Sequence, residues 1–210
     1  MFFPVRLARA LMMAAAPVAI AAVAVPAAAA PESADLARVQ AHLASVQSMT
    51  ADFIQTDAKQ RSAAGTLQLK RPGRIRFQYG SGDLLLVANG NKLTFIDYQV
   101  GQKSSWPLNK TPLGILLAAN PDIKGNARIV ASGDPRTVVV RAKDRNQPEY
   151  GTLILAFLRS PSAPGGLMLY GWTAVDAQNK RTTVKLSNQR FNVAVSNGAF
   201  TFAEPKQKRR

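Results

Sequence analysis

Beyond residue 50, apolar and polar side chains alternate one by one over successive short segments of the chain. In residues 74–79, for example, Ile75, Phe77 and Tyr79 alternate with two arginines and a glutamine. A period of two places one face of a strand against a core and the other against water, which is typical of antiparallel sheets. The pattern recurs so often that it restricts the chain to a mainly β fold, a sandwich or a barrel.

Turn residues separate the predicted strands at the spacing of an antiparallel meander. Between two apolar runs, Asn89-Gly90 predicts a tight hairpin turn to which this pair supplies the positive φ angles. Residues 160–166 are rich in Pro, Gly and Ser and predict a surface loop. About eleven strands are expected, at residues 51–56, 66–70, 74–79, 84–87, 93–96, 127–131, 137–142, 151–158, 167–174, 182–190 and 199–202.

Two segments have a helical rather than an alternating pattern. In residues 33–48 apolar side chains recur three or four positions apart, and Ser33 is the expected N-cap. The resulting apolar stripe consists of Leu36, Val39, Leu43 and Val46. Thr111 as cap and Pro112 at the first helical position predict a short second helix over residues 111–120. This second helix is apolar nearly all round, so we expect it to cover an apolar surface.

The start of the chain has the pattern of a signal peptide. Two arginines precede an apolar run, and the small residues 27–29 follow it. Residues 1–29 are therefore expected to be removed, residues 30–205 to form one domain, and residues 206–210 to be a basic disordered tail. The chain has no cysteine, so its fold depends on packing alone even in a compartment that permits disulfides.

The composition argues against several classes of function. Lys and Arg number 27 against 12 acidic residues, a formal net charge of +15. In an exported protein such a charge favours anionic lipid headgroups or acidic partner proteins over nucleic acid. His42 is the only histidine and is interpreted as a helix-surface residue. Without cysteine, an activated nucleophile or a metal motif, we expect no enzyme, no cofactor and no metal.

Several local motifs resemble, in order and spacing, the outer-membrane lipoprotein carrier protein family, LolA. They are residues 51–56, 65–77 and 86–90, Thr111-Pro112 leading into Leu116-Leu117, and residues 200–202. The Lys-Arg-Pro block ending at Pro72, with the Asn-Gly hairpin after it, is the most specific part. The resemblance extends over residues 36–205 and implies an incomplete antiparallel β-barrel with a helical lid over an apolar cavity.

The resemblance also implies a task. Family members act in the periplasm as chaperones that shield the acyl chains of lipoproteins. They accept this cargo from an inner-membrane transporter of the ABC type and pass it to an outer-membrane lipoprotein acceptor. We expect the same of this chain, as a monomer. The alternative is a periplasmic lipid sensor, or a carrier of a different lipid, built on the same half-barrel.

Site residues follow from the resemblance and from the strand pattern. Arg71 matches a family arginine that hydrogen-bonds backbone groups of the lid and is expected to hold the empty cavity shut. Leu69, Phe77 and Thr94 replace tryptophans that many members carry. The expected acyl-chain cavity is lined by Phe53, Leu67, Leu69, Ile75, Phe77, Leu84, Leu86, Leu93, Phe95, Leu113, Leu116 and Leu117. The candidates for partner docking beside the cavity mouth are Arg74, Arg76, Lys103 and Lys110.

Overall fold

The computed structural model describes residues 31–206, except residues 81, 120, 122, 124, 126 and 144–150. The predicted signal peptide and residues 207–210 of the predicted tail lie outside the described residues. The described part contains two α-helices, α1 at Pro31–Ser45 and α2 at Leu113–Leu117. Neither of them is long and apolar enough to span a bilayer.

Strands make up most of the described chain. They are β1 (Ser48–Thr56), β2 (Ser62–Lys70), β3 (Arg74–Tyr79), β4 (Leu84–Asn89), β5 (Lys92–Asp97), β6 (Gln102–Pro107), β7 (Ala127–Val130), β8 (Thr137–Ala142), β9 (Thr152–Arg159), β10 (Leu167–Val175) and β11 (Arg181–Phe191). They form one antiparallel sheet in the order β6-β5-β4-β3-β2-β1-β11-β10-β9-β8-β7. Since β6 and β7 each have one neighbour among the described strands, the sheet is open, and the predicted incomplete barrel is confirmed.

The main core lies on one face of the sheet, here called the inner face. The helical stripe of α1 packs there, with Val39 and Leu43 in one cluster with Phe53 of β1 and Phe157 of β9. All four side chains are almost fully buried. The predicted helix is therefore confirmed, although it ends at Ser45 and leaves Val46 outside it, and α1 covers part of the inner face.

A smaller apolar cluster lies on the opposite, outer face. Leu85 and Val87 of β4 pack there against Val195 and Phe200. The latter two belong to residues 193–204, here called the C-terminal segment, which follows β11. This segment therefore covers the outer face of β4 and β5.

The β4–β5 hairpin is confirmed, with a different turn. Asn89 pairs with Lys92, so the two turn residues are Gly90 and Asn91 rather than Asn89 and Gly90. Among the residues of this turn only Gly90 has a positive φ, 77°. A glycine is favoured at that position because a side chain there would be strained.

Two strand predictions were wrong, although the predicted total of eleven strands was correct. Residues 102–107 form β6 although no strand was predicted there, because this polar edge strand is exposed at most positions and lacks a clean alternation. Residues 199–202 are not a strand. They lie at the end of a 3₁₀ turn, Asn197–Phe200, because Phe200 packs onto the outer face instead of pairing in the sheet.

Both predicted helix caps were also wrong. The helix α1 begins at Pro31, which places Ser33 inside it. The cap of α2 is Pro112, without a side-chain hydrogen bond. The Thr111 hydroxyl instead donates to the Leu108 carbonyl oxygen at 2.8 Å and closes the 3₁₀ turn Leu108–Lys110.

Candidate functional site

The inner face of β2 and β3 is a continuous apolar surface. Across this strand pair Leu67 faces Phe77, and Leu69 faces Ile75. These four predicted cavity residues are at most 2 % exposed and belong to the main core. The alternation of the sequence therefore placed them on the correct face.

Aromatic rings extend this surface to β1 and β10. The Phe53 ring meets the Phe77 ring edge to face at a centroid distance of 5.1 Å, and Phe77 meets Trp172 at 6.0 Å. Gly65 stands opposite Phe53 in the β1–β2 pair. A Cβ at Gly65 would lie 2.9 Å from the Phe53 ring and 2.0 Å from the Gln78 carbonyl oxygen. The missing side chain thus makes room for the ring.

The apolar run in β4 divides between the two faces of the sheet. Leu84 and Leu86 pack against the main core, whereas Leu85 belongs to the outer cluster. Phe95 of β5 stands opposite Leu86, and Leu93, two residues before Phe95, is buried in the main core. Alternation could not predict which residues of this run face inward, because both neighbours of Leu85 are themselves apolar. The structure shows that Leu84 and Leu86 do.

Apolar side chains of the inner face reach solvent near the open edge at β6. Leu84, Leu86 and Phe95 are only partly buried. Trp106 pairs with Leu93, so it faces the same side, and it is 47 % exposed. We call Leu84, Leu86, Phe95 and Trp106 the edge patch; it is where an apolar ligand could first contact the interior.

The helix α2 covers the inner face as a lid. Leu116 and Leu117 are each 1 % exposed, and Leu113 packs against the same cluster at its periphery. The Leu117 carbonyl oxygen at the end of α2 accepts a hydrogen bond from the Gly73 amide at 2.9 Å. A groove of about 420 Å³ runs beside this contact, between α2 and the Gly90 turn.

A side chain that sequence reasoning missed connects α1 to the residues after α2. The Gln40 side chain donates through Nε2 to the Pro121 carbonyl oxygen, and its Oε1 accepts from the Ile123 amide at 3.2 Å. Ile123 is fully buried. A single glutamine on a helix carries no sequence pattern that could have predicted this contact across the fold.

Arg71 lies at the base of the lid, in the turn between β2 and β3. Its side chain is 7 % exposed, and its backbone amide donates to the Gln47 carbonyl oxygen at 2.8 Å. Its Nε and Nη1 atoms are buried and have no hydrogen-bond partner in the described structure. Burial lowers the pKa of Arg71 to about 10, well below the usual value of an arginine. The lid carbonyl is bound by Gly73, two residues further on, and donation from Arg71 to the lid stays a prediction.

His42 was wrongly expected on the surface of α1. It is 2 % exposed, its Nδ1 lies 2.8 Å from the Pro164 carbonyl oxygen, and its ring meets those of Phe157 and Phe191 edge to face. Burial is the main cause that lowers the pKa of His42, and the positive charge of Arg71 lowers it further. The loop around Pro164 folds over this side of α1, which local periodicity could not reveal.

Three of the four docking candidates contact the C-terminal segment on the outer face. Arg76 donates through Nη1 to the Ala199 and Thr201 carbonyl oxygens, at 3.2 and 2.9 Å. Lys103 forms an ion pair with Glu204, and Arg74 donates to the side chain of Asn197. Lys110 is exposed in its 3₁₀ turn. Arg74, Arg76 and Lys103 thus have a structural role that the sequence did not predict, and a docking role for the four stays a prediction.

The described residues contain no group of three or more His, Cys, Asp or Glu side chains that could hold a metal ion. Thr94, expected at a cavity position, is buried beside Ser105, with 3.0 Å between the two hydroxyl oxygens. It alternates with Leu93 and Phe95 and therefore faces the outer side.

The molecule is an open antiparallel half-barrel, and a helical lid covers its apolar interior. It thus belongs to the class of half-barrel proteins with a lid. Among these, the chain belongs to a family described as outer membrane lipoprotein carrier protein LolA, whose model matches residues 44–203. The resemblance inferred from the Lys-Arg-Pro block and the Asn-Gly hairpin is confirmed.

The chain is also similar to several known proteins. A protein of Chromobacterium violaceum named outer-membrane lipoprotein carrier protein is 25 % identical over 184 residues, which cover 83 % of this chain and 86 % of that protein. A protein of the same name from Legionella pneumophila (strain Corby) is 28 % identical over 183 residues, 80 % of this chain and 85 % of the relative. The solved structure of a LolA superfamily protein from Nitrosomonas europaea matches with a TM-score of 0.47 and 13 % identity, covering 83 % and 99 % of the two chains.

Proposed function

We propose that this protein is a periplasmic chaperone that binds the acyl chains of lipoproteins between its sheet and its lid and carries them from the inner toward the outer membrane. One observation carries the proposal: the apolar surface of the inner face lies under a helix of five residues, and the carbonyl oxygen at the C-terminal end of this helix accepts a backbone hydrogen bond from Gly73. The relatives named outer-membrane lipoprotein carrier protein support it.

The energetics of the interior suit an acyl chain. Each buried methylene contributes about 0.8 kcal/mol, so one long chain supplies on the order of 10 kcal/mol before entropy costs. In the closed form the interior residues pack against one another, so cargo has to displace the lid. A helix as short as α2 is not stable by itself in water, and its displacement requires the loss of few polar contacts.

Entry is proposed at the edge patch, because it joins the buried interior to solvent. Phe95 belongs to this patch and is only partly buried, so an incoming acyl chain could contact it before the lid moves. Phe202 is a second phenylalanine with 36 % exposure, in the C-terminal segment on the outer face. The two residues give a matched pair of variants, Phe95→Ser and Phe202→Ser.

The proposed test mixes the exported, purified protein with inner-membrane vesicles that hold newly made radiolabelled lipoprotein, with ATP. We expect labelled cargo in a soluble one-to-one complex with wild type and with Phe202→Ser, and severalfold less with Phe95→Ser. Absence of soluble cargo with wild type would contradict the carrier function and favour a lipid sensor or a carrier of another lipid.

The partners follow from the same proposal: an ABC-type transporter releases the cargo, and an outer-membrane acceptor receives it from the protein as a monomer. Of the four docking candidates, Lys110 offers the cleanest test, because the other three hold the C-terminal segment. Lys110→Glu is expected to slow cargo uptake at low salt, and Lys180→Glu, in the β10–β11 turn, to leave it unchanged. Equal uptake rates for the two variants would remove Lys110 from the docking surface.

A further inference from the structure

Within the described part of the chain, only one half of the outer face of the sheet is covered. The C-terminal segment packs over β4 and β5, but on β7 to β10 the outward side chains include several apolar residues that are partly or fully open to solvent. Val130 is 37 % exposed, and Tyr170, at the irregular pairing between β9 and β10, is 41 % exposed. The half of the outer face that no described segment covers therefore presents an apolar surface.

The strand register arranges part of this surface in a row. Adjacent strands pair Val130 with Val139, Val139 with Ala156, and Ala156 with Gly171. The row continues through Lys185 of β11 to Ile54 of β1, which is 53 % exposed. We call these six residues the outer row. Across six strands it extends over about 24 Å, a length that suits a broad surface better than a compact ligand.

A pair of arginines stands directly beside the outer row. Arg128 of β7 faces Arg141 of β8 in the antiparallel register, and both are exposed on the outer face. Like charges directly opposite in a sheet are destabilising. Neither forms an ion pair with a described residue, whereas the neighbouring Arg136 is paired with Asp134 at 2.9 Å. Within the described part of the chain, no carboxylate is paired with either of these two adjacent cations.

We propose that the outer row and the Arg128–Arg141 pair form a docking surface for an anionic lipid bilayer. Phosphate groups of the headgroups would neutralise the two arginines, while the apolar members of the outer row and Tyr170 would contact the interfacial region, where aromatic residues with a polar end are favoured. The strong positive net charge of the chain agrees with an anionic surface. This inference does not rest on cargo binding, which takes place on the opposite face of the sheet.

Vesicle sedimentation tests the proposal. The exported, purified protein is mixed with vesicles of phosphatidylethanolamine and phosphatidylglycerol, or with neutral phosphatidylcholine vesicles. The variant Arg128→Gln/Arg141→Gln is compared with Lys59→Gln/Lys180→Gln, which removes the same charge from two exposed hairpin turns. Because neither arginine forms an ion pair with a described residue, replacing the pair should not lower thermal stability, which circular dichroism checks.

We expect wild type to bind the anionic vesicles, to bind more weakly as salt increases, and not to bind the neutral ones. The partition coefficient of the arginine variant between anionic vesicles and buffer should fall on the order of 30-fold, because two basic contacts are lost. That of the lysine variant should fall about threefold or less, because its charges lie away from the proposed docking surface. Phe95→Ser should bind vesicles like wild type. Equal losses of vesicle binding for the two double variants would overturn the proposal. The absence of vesicle binding by wild type would also overturn it and would favour an acidic protein partner.

Discussion

The substitution Arg71→Leu is expected to stabilise the protein, although it removes a nearly fully buried side chain. In the closed form the Arg71 guanidinium is taken out of water, and its Nε and Nη1 atoms have no hydrogen-bond partner in the described structure. A leucine fills much of the same space and brings no charge. The free energy of unfolding should therefore increase.

The size of the effect follows from two independent quantities. A buried polar group without a partner costs about 1–3 kcal/mol. Burial lowers the pKa of Arg71 to about 10, and the difference from the usual arginine value corresponds to about 3 kcal/mol, which is an upper limit because the side chain keeps some contact with solvent. We expect a gain of about 1–3 kcal/mol. Since the cost applies to the cation, it is present in full below pH 10 and disappears as the pH rises above about 10.

Urea denaturation followed by tryptophan fluorescence, to which the buried Trp172 contributes, measures this gain. Arg190→Leu is the matched control, because Arg190 is exposed, and such a change should stay within about 0.5 kcal/mol. A loss of about 3–5 kcal/mol in Arg71→Leu would refute the reasoning, because removal of one partner from a buried charged contact has that effect. That result would instead support the lid hydrogen bonds that the family resemblance implies.

Three further predictions concern stability, each measured by urea denaturation. Gly65→Ala should lower the free energy of unfolding by more than about 2 kcal/mol, because the added Cβ would lie 2.0 Å from a backbone oxygen of β3. The control Gly125→Ala, whose Cβ would have no heavy atom within 4 Å, should leave stability unchanged. Equal effects of the two variants would contradict the packing around β2. Burial lowers the pKa of His42, so wild type should lose stability as the pH falls below 6.5, and His42→Gln should lose less; parallel pH profiles would contradict a buried neutral imidazole. Arg76→Gln should cost about 1–3 kcal/mol by freeing the C-terminal segment, and unchanged stability would show that this segment does not depend on the arginine.

Alternation predicted most of the sheet because one face of nearly every strand is buried. It failed at β6, an exposed edge strand for which no face of the sheet enforces a pattern. It failed again at residues 199–202, where Phe200 supplies apolar character to an outer cluster and not to a strand. A local pattern reports that a side chain is buried, but it does not report which surface buries it.

The candidate site was predicted unevenly for the same reason. The inner positions of β2 and β3 followed from period two. The buried position of His42 and the contacts of Gln40 depend on segments far away in sequence, near Pro164 and Pro121. The contacts of Arg76 with the C-terminal segment are equally non-local. None of these contacts produces a pattern in the neighbouring sequence.

The most direct test of the central claim locates the acyl chain. A synthetic lipopeptide with a photoreactive group at the end of one acyl chain is bound to the protein and irradiated, and the labelled residues are identified by mass spectrometry. The proposed function predicts adducts on inner-face residues such as Leu86, Phe95 and Leu116. Adducts confined to outer-face residues such as Tyr170 or Ile54 would contradict an interior that binds acyl chains, even if the protein bound lipid.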